Sequence, residues 1–244
     1  MHRTLILPAF NEERSLPVLL RRTAELGVVD DVLIIDDGSS DHTAHLAEAP
    51  RDDGLKVTVL RHGRNRGLGA AMRTALAAVS TGPLRDDDVV ITMDADNTHD
   101  PVIIPAMCAA IGAADVVIAS RYAPGGKEFG LAWHRRVLSR GASTLLRLLR
   151  PVPGVSDYSC GYRAYRVGMI RKALGPGGPE GIVTTDGFAC MAEILLRLHQ
   201  AGARCTEVPL ELHYELKEGA SKMRVLRTIR GYMDILRAVP GSRA

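Results

Sequence analysis

A chain of 244 residues with 46% hydrophobic content can bury a substantial core, and its length suits one large α/β domain. Aromatic residues are only 4%, too few for the interleaved stacking platform of a nucleic-acid-binding surface, and no apolar run reaches the roughly 18 residues of a spanning helix. The net charge of +3 conceals a split: residues 1–120 hold 11 basic and 18 acidic side chains, residues 121–244 hold 20 and 10, as expected where cation-holding acids and anion-holding bases serve different halves of one site.

The opening MHRTLILPAFNEE has no secretory apolar core and reads as a first strand. Further β-branched apolar runs follow: residues 4–10, 31–38, 56–62, 88–96 and 115–122 alternate with helix-like segments, which predicts a mostly parallel sheet with helices on both faces. Asp41 is placed to open the helix of DHTAHLAEA; Asp100 and Pro101 suit the N-cap and first helical residue of the next. After Arg121 come a glycine-rich loop (APGGKEFG), a basic helix from about Trp133 to Arg150, DYSCGYRAYR, and a second glycine- and proline-rich loop. A helix through DGFACMAEILLRLHQAG, a strand-like CTEVPLELHY and a final helix complete the chain, and no repeat or linker divides it, so one domain over 1–244 is expected. Cys108, Cys160, Cys190 and Cys205 show neither C-x-x-C pairing nor metal-ligand spacing, which reads as buried or idle thiols in a reducing, cytoplasmic setting.

In an open parallel sheet, ligands bind beyond the carboxyl ends of the strands. The notable polar groups fall there: Asn11 and Glu12, Asp36 and Asp37, Asp94 and Asp96, and Arg121. A D-x-D pair in such a turn can hold a hard divalent cation, Mg2+ or Mn2+, whose other positions suit water and diphosphate oxygens; it can also be a capped, solvated helix entrance. In IIDDGSSD a carboxylate can accept the imide N–H of uracil or guanine, or simply end a strand.

Read in order, LPAFNEE (7–13), DDGSSD (36–41), NRGLGAAMRTAL (65–76), MDADNTHDP (93–101), SRYAPGG (120–126), WHRRVLSRGAS (133–143), DYSCGYRAY (157–165) and EVPLELHYELKEGASKM (207–223) resemble the family 2 glycosyltransferases, and within them the dolichyl-phosphate mannosyltransferase-like branch. The resemblance spans nearly the whole chain. It implies a single A-type, Rossmann-like domain, with a nucleotide-sugar-binding half over 1–122 and an acceptor-side half over 123–244. It implies inverting, metal-dependent transfer from a UDP- or GDP-linked sugar. Pro8, Phe10, Glu12, Asp37, Asp94 and Ala95 would line the donor pocket, with Asp94 and Asp96 holding Mg2+ or Mn2+. Arg121, Arg135, Arg136, Ser221 and Lys222 would serve the reacting phosphates. Gly67 and Gly69 read as close-packing residues where a helix begins.

Polyprenyl phosphate, met at the inner face of a membrane, is the preferred acceptor; a soluble hydroxyl acceptor is the alternative. An alcohol would need a general base, for which Asp157 is the first candidate and Asp186 the second. Tyr162 and Arg163 form either the floor of the acceptor pocket or ordinary packing, and Glu193 is a structural acid or a loop anchor. Two positions depart from the branch: Thr98 stands where it carries glutamine, and Leu216 where it carries the arginine for the lipid phosphate, leaving Lys217 as a point-charge substitute. In the final helix Met223, Leu226, Ile229, Met233 and Leu236 recur at helical spacing among basic residues, so it either lies on an anionic bilayer or packs one face on its own domain. A nucleotidyltransferase would show a glycine- and arginine-rich loop where this chain has PAFNEERSLP, and a non-catalytic nucleotide-sugar-binding subunit is the reading from another class.

Overall fold

The computed structural model describes residues 1–217 and 225–239, without the side chains of residues 134, 135, 138, 176 and 225–227. Its strands in chain order are β1 (Arg3–Ala9), β2 (Asp31–Asp36), β3 (Lys56–Arg61), β4 (Val89–Thr92), β5 (Val116–Ser120), β6 (Lys127–Phe129), β7 (Arg163–Arg166), β8 (Cys205–Pro209) and β9 (Glu211–His213). Seven form one sheet in the order β3-β2-β1-β4-β7-β5-β8, and β6 pairs with β9 in a separate two-stranded sheet. The five runs expected as strands are all present. In four of them Leu5, Ile6, Leu7, Ile34, Ile35, Val89 to Ile91 and Val116 to Ala119 are fully enclosed, as strands covered on both faces require, while β3 is the partly exposed edge strand.

β7 departs from the expected pattern. It runs antiparallel between β4 and β5, whereas the other pairings of the large sheet are parallel. Its sequence, Arg-Ala-Tyr-Arg, has no apolar run to announce a central strand. Arg163 is nonetheless fully buried, because its guanidinium donates to the carbonyls of Met191 (2.5 Å) and Tyr158 (2.8 Å).

The helices are α1 (Ser15–Leu26), α2 (Thr43–Glu48), α3 (Leu68–Thr81), α4 (Ile104–Ala110), α5 (Trp133–Leu149), α6 (Val167–Leu174), α7 (Cys190–Gln200) and α8 (Val225–Ala238). Asp100 caps as expected, accepting from the Val102 amide at 3.0 Å, but it opens a 3₁₀ turn, Pro101–Ile103, that leads into α4. Asp41 lies ahead of α2, where it accepts from the Thr43 amide and hydroxyl and from the Glu13 amide, tying the entrances of α1 and α2 together. α3 begins where Gly67 and Gly69 allow close approach: a Cβ on Gly69 would lie 1.8 Å from the Thr185 carbonyl oxygen, and one on Gly67 2.3 Å from that of Asp186.

β1 has β2 on one side and β4 on the other, so the chain proceeds outward through β2 and β3 before returning to start β4. Loops leaving β1 and β4 therefore diverge, and a crevice opens at their carboxyl ends.

Candidate active site

A cavity of about 690 Å3 occupies that crevice, within the size range of small-molecule sites. Pro8, Phe10, Glu12, Asp37, Asp94 and Ala95 all lie on its wall. The loop after β1 turns at Asn11, which takes a left-handed conformation (φ 51°), and its side-chain carbonyl accepts from the Ser40 amide at 2.8 Å. Asp37 accepts from His62 Nδ1 (2.6 Å) and from the amides of Arg66 (3.0 Å) and Gly67 (2.7 Å), so its carboxylate braces the loop that feeds α3 while forming part of the wall. Gly38 beside it has φ +70°, and a Cβ there would lie 2.3 Å from the Arg64 backbone.

The acidic turn after β4 is shaped by Asn97, also left-handed (φ 61°), which folds Thr98 back on Asp96. Asp96 Oδ1 accepts from the Thr98 amide (3.2 Å) and hydroxyl (2.7 Å), and Oδ2 receives the Lys217 ammonium. Threonine here thus orients a carboxylate, a use that its short side chain suits. Asp94 lines the cavity, and a Cβ at Gly161 would stand 3.3 Å from its Oδ1, so glycine leaves that oxygen room. Burial, and next the neighbouring Asp96 charge, raise the Asp94 carboxyl above its ordinary value, against the pull of His99. Burial would raise Asp96 too, but the Lys217 charge and hydrogen bonds from Lys217 and Thr98 hold it below the usual range. Two hard carboxylates on a cavity wall fit Mg2+ or Mn2+; no set of three potential metal ligands occurs among the described residues, so water and phosphate oxygens would have to complete the shell.

On the same wall, Arg121 is held by Asp157 through Nε to Oδ2 (2.7 Å) and Nη2 to Oδ1 (2.8 Å). Nη2 also donates to Ser159 Oγ (2.7 Å) and Ser139 Oγ (3.2 Å), and both serines line the cavity. Burial disfavours the guanidinium charge, but Asp157 outweighs it and pushes the Arg121 pKa upward. The reciprocal effect keeps Asp157 below its ordinary value despite burial.

Several expectations change here. Asp157 is fully buried and absent from the cavity wall, with its oxygens taken by Arg121 and by the amides of Ser159 and Cys160, so it positions Arg121 and is not placed as a base. Tyr162 and Arg163 are packing, not an acceptor floor: Tyr162 is enclosed with its hydroxyl donating to the Asp100 carbonyl, and Arg163 is spent on backbone carbonyls of the core. Arg136 is off the wall, with Nε 3.2 Å from Glu128 Oε2. Asp186 is on the wall, bonded to Arg73 Nη2 at 2.9 Å. Glu193 is a loop anchor, accepting from the amides and hydroxyls of Thr184 and Thr185. Leu216 is 54% exposed, and Lys217 points to Asp96. The Arg135 side chain, Ser221 and Lys222 lie outside the described residues.

Sequence reasoning missed Ser139, Ser159 and Glu128. Ser139 sits about one helical turn beyond Arg135 and Arg136, a spacing that could have marked it. Glu128 gave no signal: its stretch reads as a glycine-rich loop but forms β6, where its buried carboxylate has Arg121, Arg136 and Arg140 within 3.5 Å.

The family model described as glycosyl transferase family 2 matches residues 4–174. The chain belongs to that family. It is 33% identical over 218 residues to the undecaprenyl-phosphate mannosyltransferase of Micrococcus luteus, covering 89% of this chain and 86% of that protein. It is 36% identical over 224 residues to the polyprenol monophosphomannose synthase of Mycolicibacterium smegmatis, covering 91% and 81%. In fold, this family 2 chain is similar to the glucosyl-3-phosphoglycerate synthase of Mycobacterium tuberculosis, solved with Mn2+, UDP and phosphoglyceric acid. The TM-score is 0.69 at 20% identity, over 99% of this chain and 80% of that one. The expected family, and the α/β fold with a mostly parallel central sheet, are borne out, and the family match sets the nucleotidyltransferase reading aside.

Proposed function

We propose that this glycosyltransferase moves a sugar from a nucleotide-diphosphate donor to a polyprenyl phosphate, with inversion, in one domain. The observation that carries this reading is that the acidic turn and the Asp157-braced Arg121, with its two serine hydroxyls, line one cavity. Pro8, Phe10, Glu12 and Asp37 wall the nucleotide end, and Asp94 and Asp96 would hold Mg2+ or Mn2+. Bound there, the cation would offset the diphosphate and the charge that develops on the leaving group. Arg121 stays charged, and because its Nε and Nη2 are taken by Asp157, Ser139 and Ser159, it offers the acceptor phosphate a fixed positive charge with the two serine hydroxyls beside it. A phosphate oxygen is already ionised and needs no general base, which agrees with Asp157 being consumed by Arg121 and Asp186 pairing with Arg73. A hydroxyl acceptor would demand the base that this arrangement does not set aside.

The two curated relatives are named for mannosyl transfer, so GDP-mannose with a short polyprenyl phosphate and Mn2+ is the first assay. Asp96→Ala should lower kcat/KM by about 10²–10³-fold, as the loss of a main stabiliser of leaving-group charge would. Full rate and unchanged metal dependence in that variant would remove the mechanism's centre.

We also infer that the enzyme works at a membrane's cytoplasmic face. No helix of the described residues is long and apolar enough to cross a membrane. However, Trp133 (76% exposed), Val137, Leu145 and Leu148 (74% exposed) form a solvent-facing apolar stripe along α5. In α8, Thr228 and Ile235 pack inward, as does Val239 just after it, and Leu236 is partly buried, while Ile229 and Met233 are exposed beside Arg230 and Arg237. Apolar residues flanked by arginines suit the interface of an anionic bilayer. Wild type should co-sediment with vesicles containing phosphatidylglycerol, and Trp133→Asp with Leu148→Asp should release it; undiminished binding of the double variant would exclude this face.

A further inference from the structure

The metal-site reading of Asp94 and Asp96 leaves one group unexplained. Lys217 lies on the cavity wall with its side chain only 12% exposed, and its ammonium rests on Oδ2 of Asp96, whose own side chain is 8% exposed. Thr98 already donates twice to Oδ1, so both oxygens of Asp96 are engaged within the protein. We propose that Lys217 is an internal cation that competes with the divalent metal for Asp96, so that metal loading and release of the Lys217 side chain are one event.

Geometry carries the argument. An ammonium and a divalent cation on the same carboxylate oxygen would stand within a few ångströms of each other, and their repulsion at a site with little water is too large to sustain. One must leave. Thr98 is held within the turn, with its carbonyl accepting from the His213 amide at 3.1 Å, so the turn and the end of β9 move together. Lys217 is different: it follows the 3₁₀ turn Tyr214–Leu216, and its four-carbon stem can swing without disturbing that anchor. The groups facing its ammonium are Asp96, Asp94 and the Tyr214 ring, 5.9 Å from Nζ to the centroid; Arg121 and His99 line the same cavity. A released ammonium would remain beside the space where donor phosphates arrive, so the exchange keeps positive charge in the site.

The inference rests on the metal-site reading, so the test uses the full chain and Mn2+ alone, without donor. If the Lys217–Asp96 contact is occupied about nine-tenths of the time, it weakens apparent metal affinity about tenfold. Calorimetric titration of Lys217→Met should therefore show Mn2+ binding roughly tenfold tighter than wild type. Equal or weaker binding overturns the proposal. Should Lys217→Met fail to fold, amine acetylation of wild type decides: saturating Mn2+ should raise labelling of Lys217 several-fold relative to Lys127, and an unchanged ratio overturns it. Asp96→Asn runs in parallel and should lose Mn2+ binding. Wild-type affinity there would sink the metal-site reading and this proposal with it, whereas loss there with no gain in Lys217→Met would sink this proposal alone.

Discussion

The acidic turn after β4 and the Arg121–Asp157 pair each bury carboxylates, but they treat them in opposite ways. In the turn, two like charges stand one residue apart, Asp94 is raised by burial, and a single lysine relieves Asp96. Around Asp157, every interaction is attractive: a two-point guanidinium contact and amide donors hold the carboxylate charged in the core. The first arrangement leaves Asp94 raised and, on the function proposed above, would be completed by an outside cation; the second is closed and can only position. Identical side chains thus differ in how they are held: Asp157 by a two-point partner in the core, Asp96 on a cavity wall by a lysine and a threonine.

Removing a scaffold acid should therefore damage stability and activity together, unlike Asp96→Ala, whose loss should fall on transfer. Asp157→Asn is the severest case: it strips the Arg121 guanidinium, 9% exposed, of its two-point partner and leaves only Glu128 at 3.5 Å, which should cost up to about 3–5 kcal/mol in denaturant unfolding and displace Arg121 from the cavity wall. Because the folded pKa of Asp157 is depressed, its contribution is complete above the ordinary carboxylate value and lost as pH falls through the lower folded one. The stability gap between wild type and variant should accordingly persist at neutral pH and close only in acid; a gap independent of pH would break the comparison. Glu193→Gln is milder. It replaces one of two acceptor oxygens with a donor facing Thr184 or Thr185, for about 1–3 kcal/mol of stability and a raised donor KM from a loosened wall beside Asp186. An unaltered melting temperature would show that the anchored loop is held by other contacts.

Much of this was legible beforehand, and the manner in which it was is instructive. The first five strands could be read because each is a local run of β-branched residues, and the donor wall because it follows from where those strands end. β7 was not, since Arg-Ala-Tyr-Arg becomes a central strand only when carbonyls of Met191 and Tyr158 receive Arg163. The α5 stripe of Trp133, Val137, Leu145 and Leu148 was hidden behind the helix's arginines, two of which, Arg136 and Arg140, reach Glu128.

By itself the sequence determined the alternation of strand and helix, the family, and the placing of Asp94 and Asp96 at a strand end, because each depends on neighbours along the chain. Only the tertiary structure decided which charges meet. Asp157 joins Arg121 across 36 residues and Lys217 joins Asp96 across 121, and whether a carboxylate is paired or presented to a ligand depends on such distant partners and on the water they exclude.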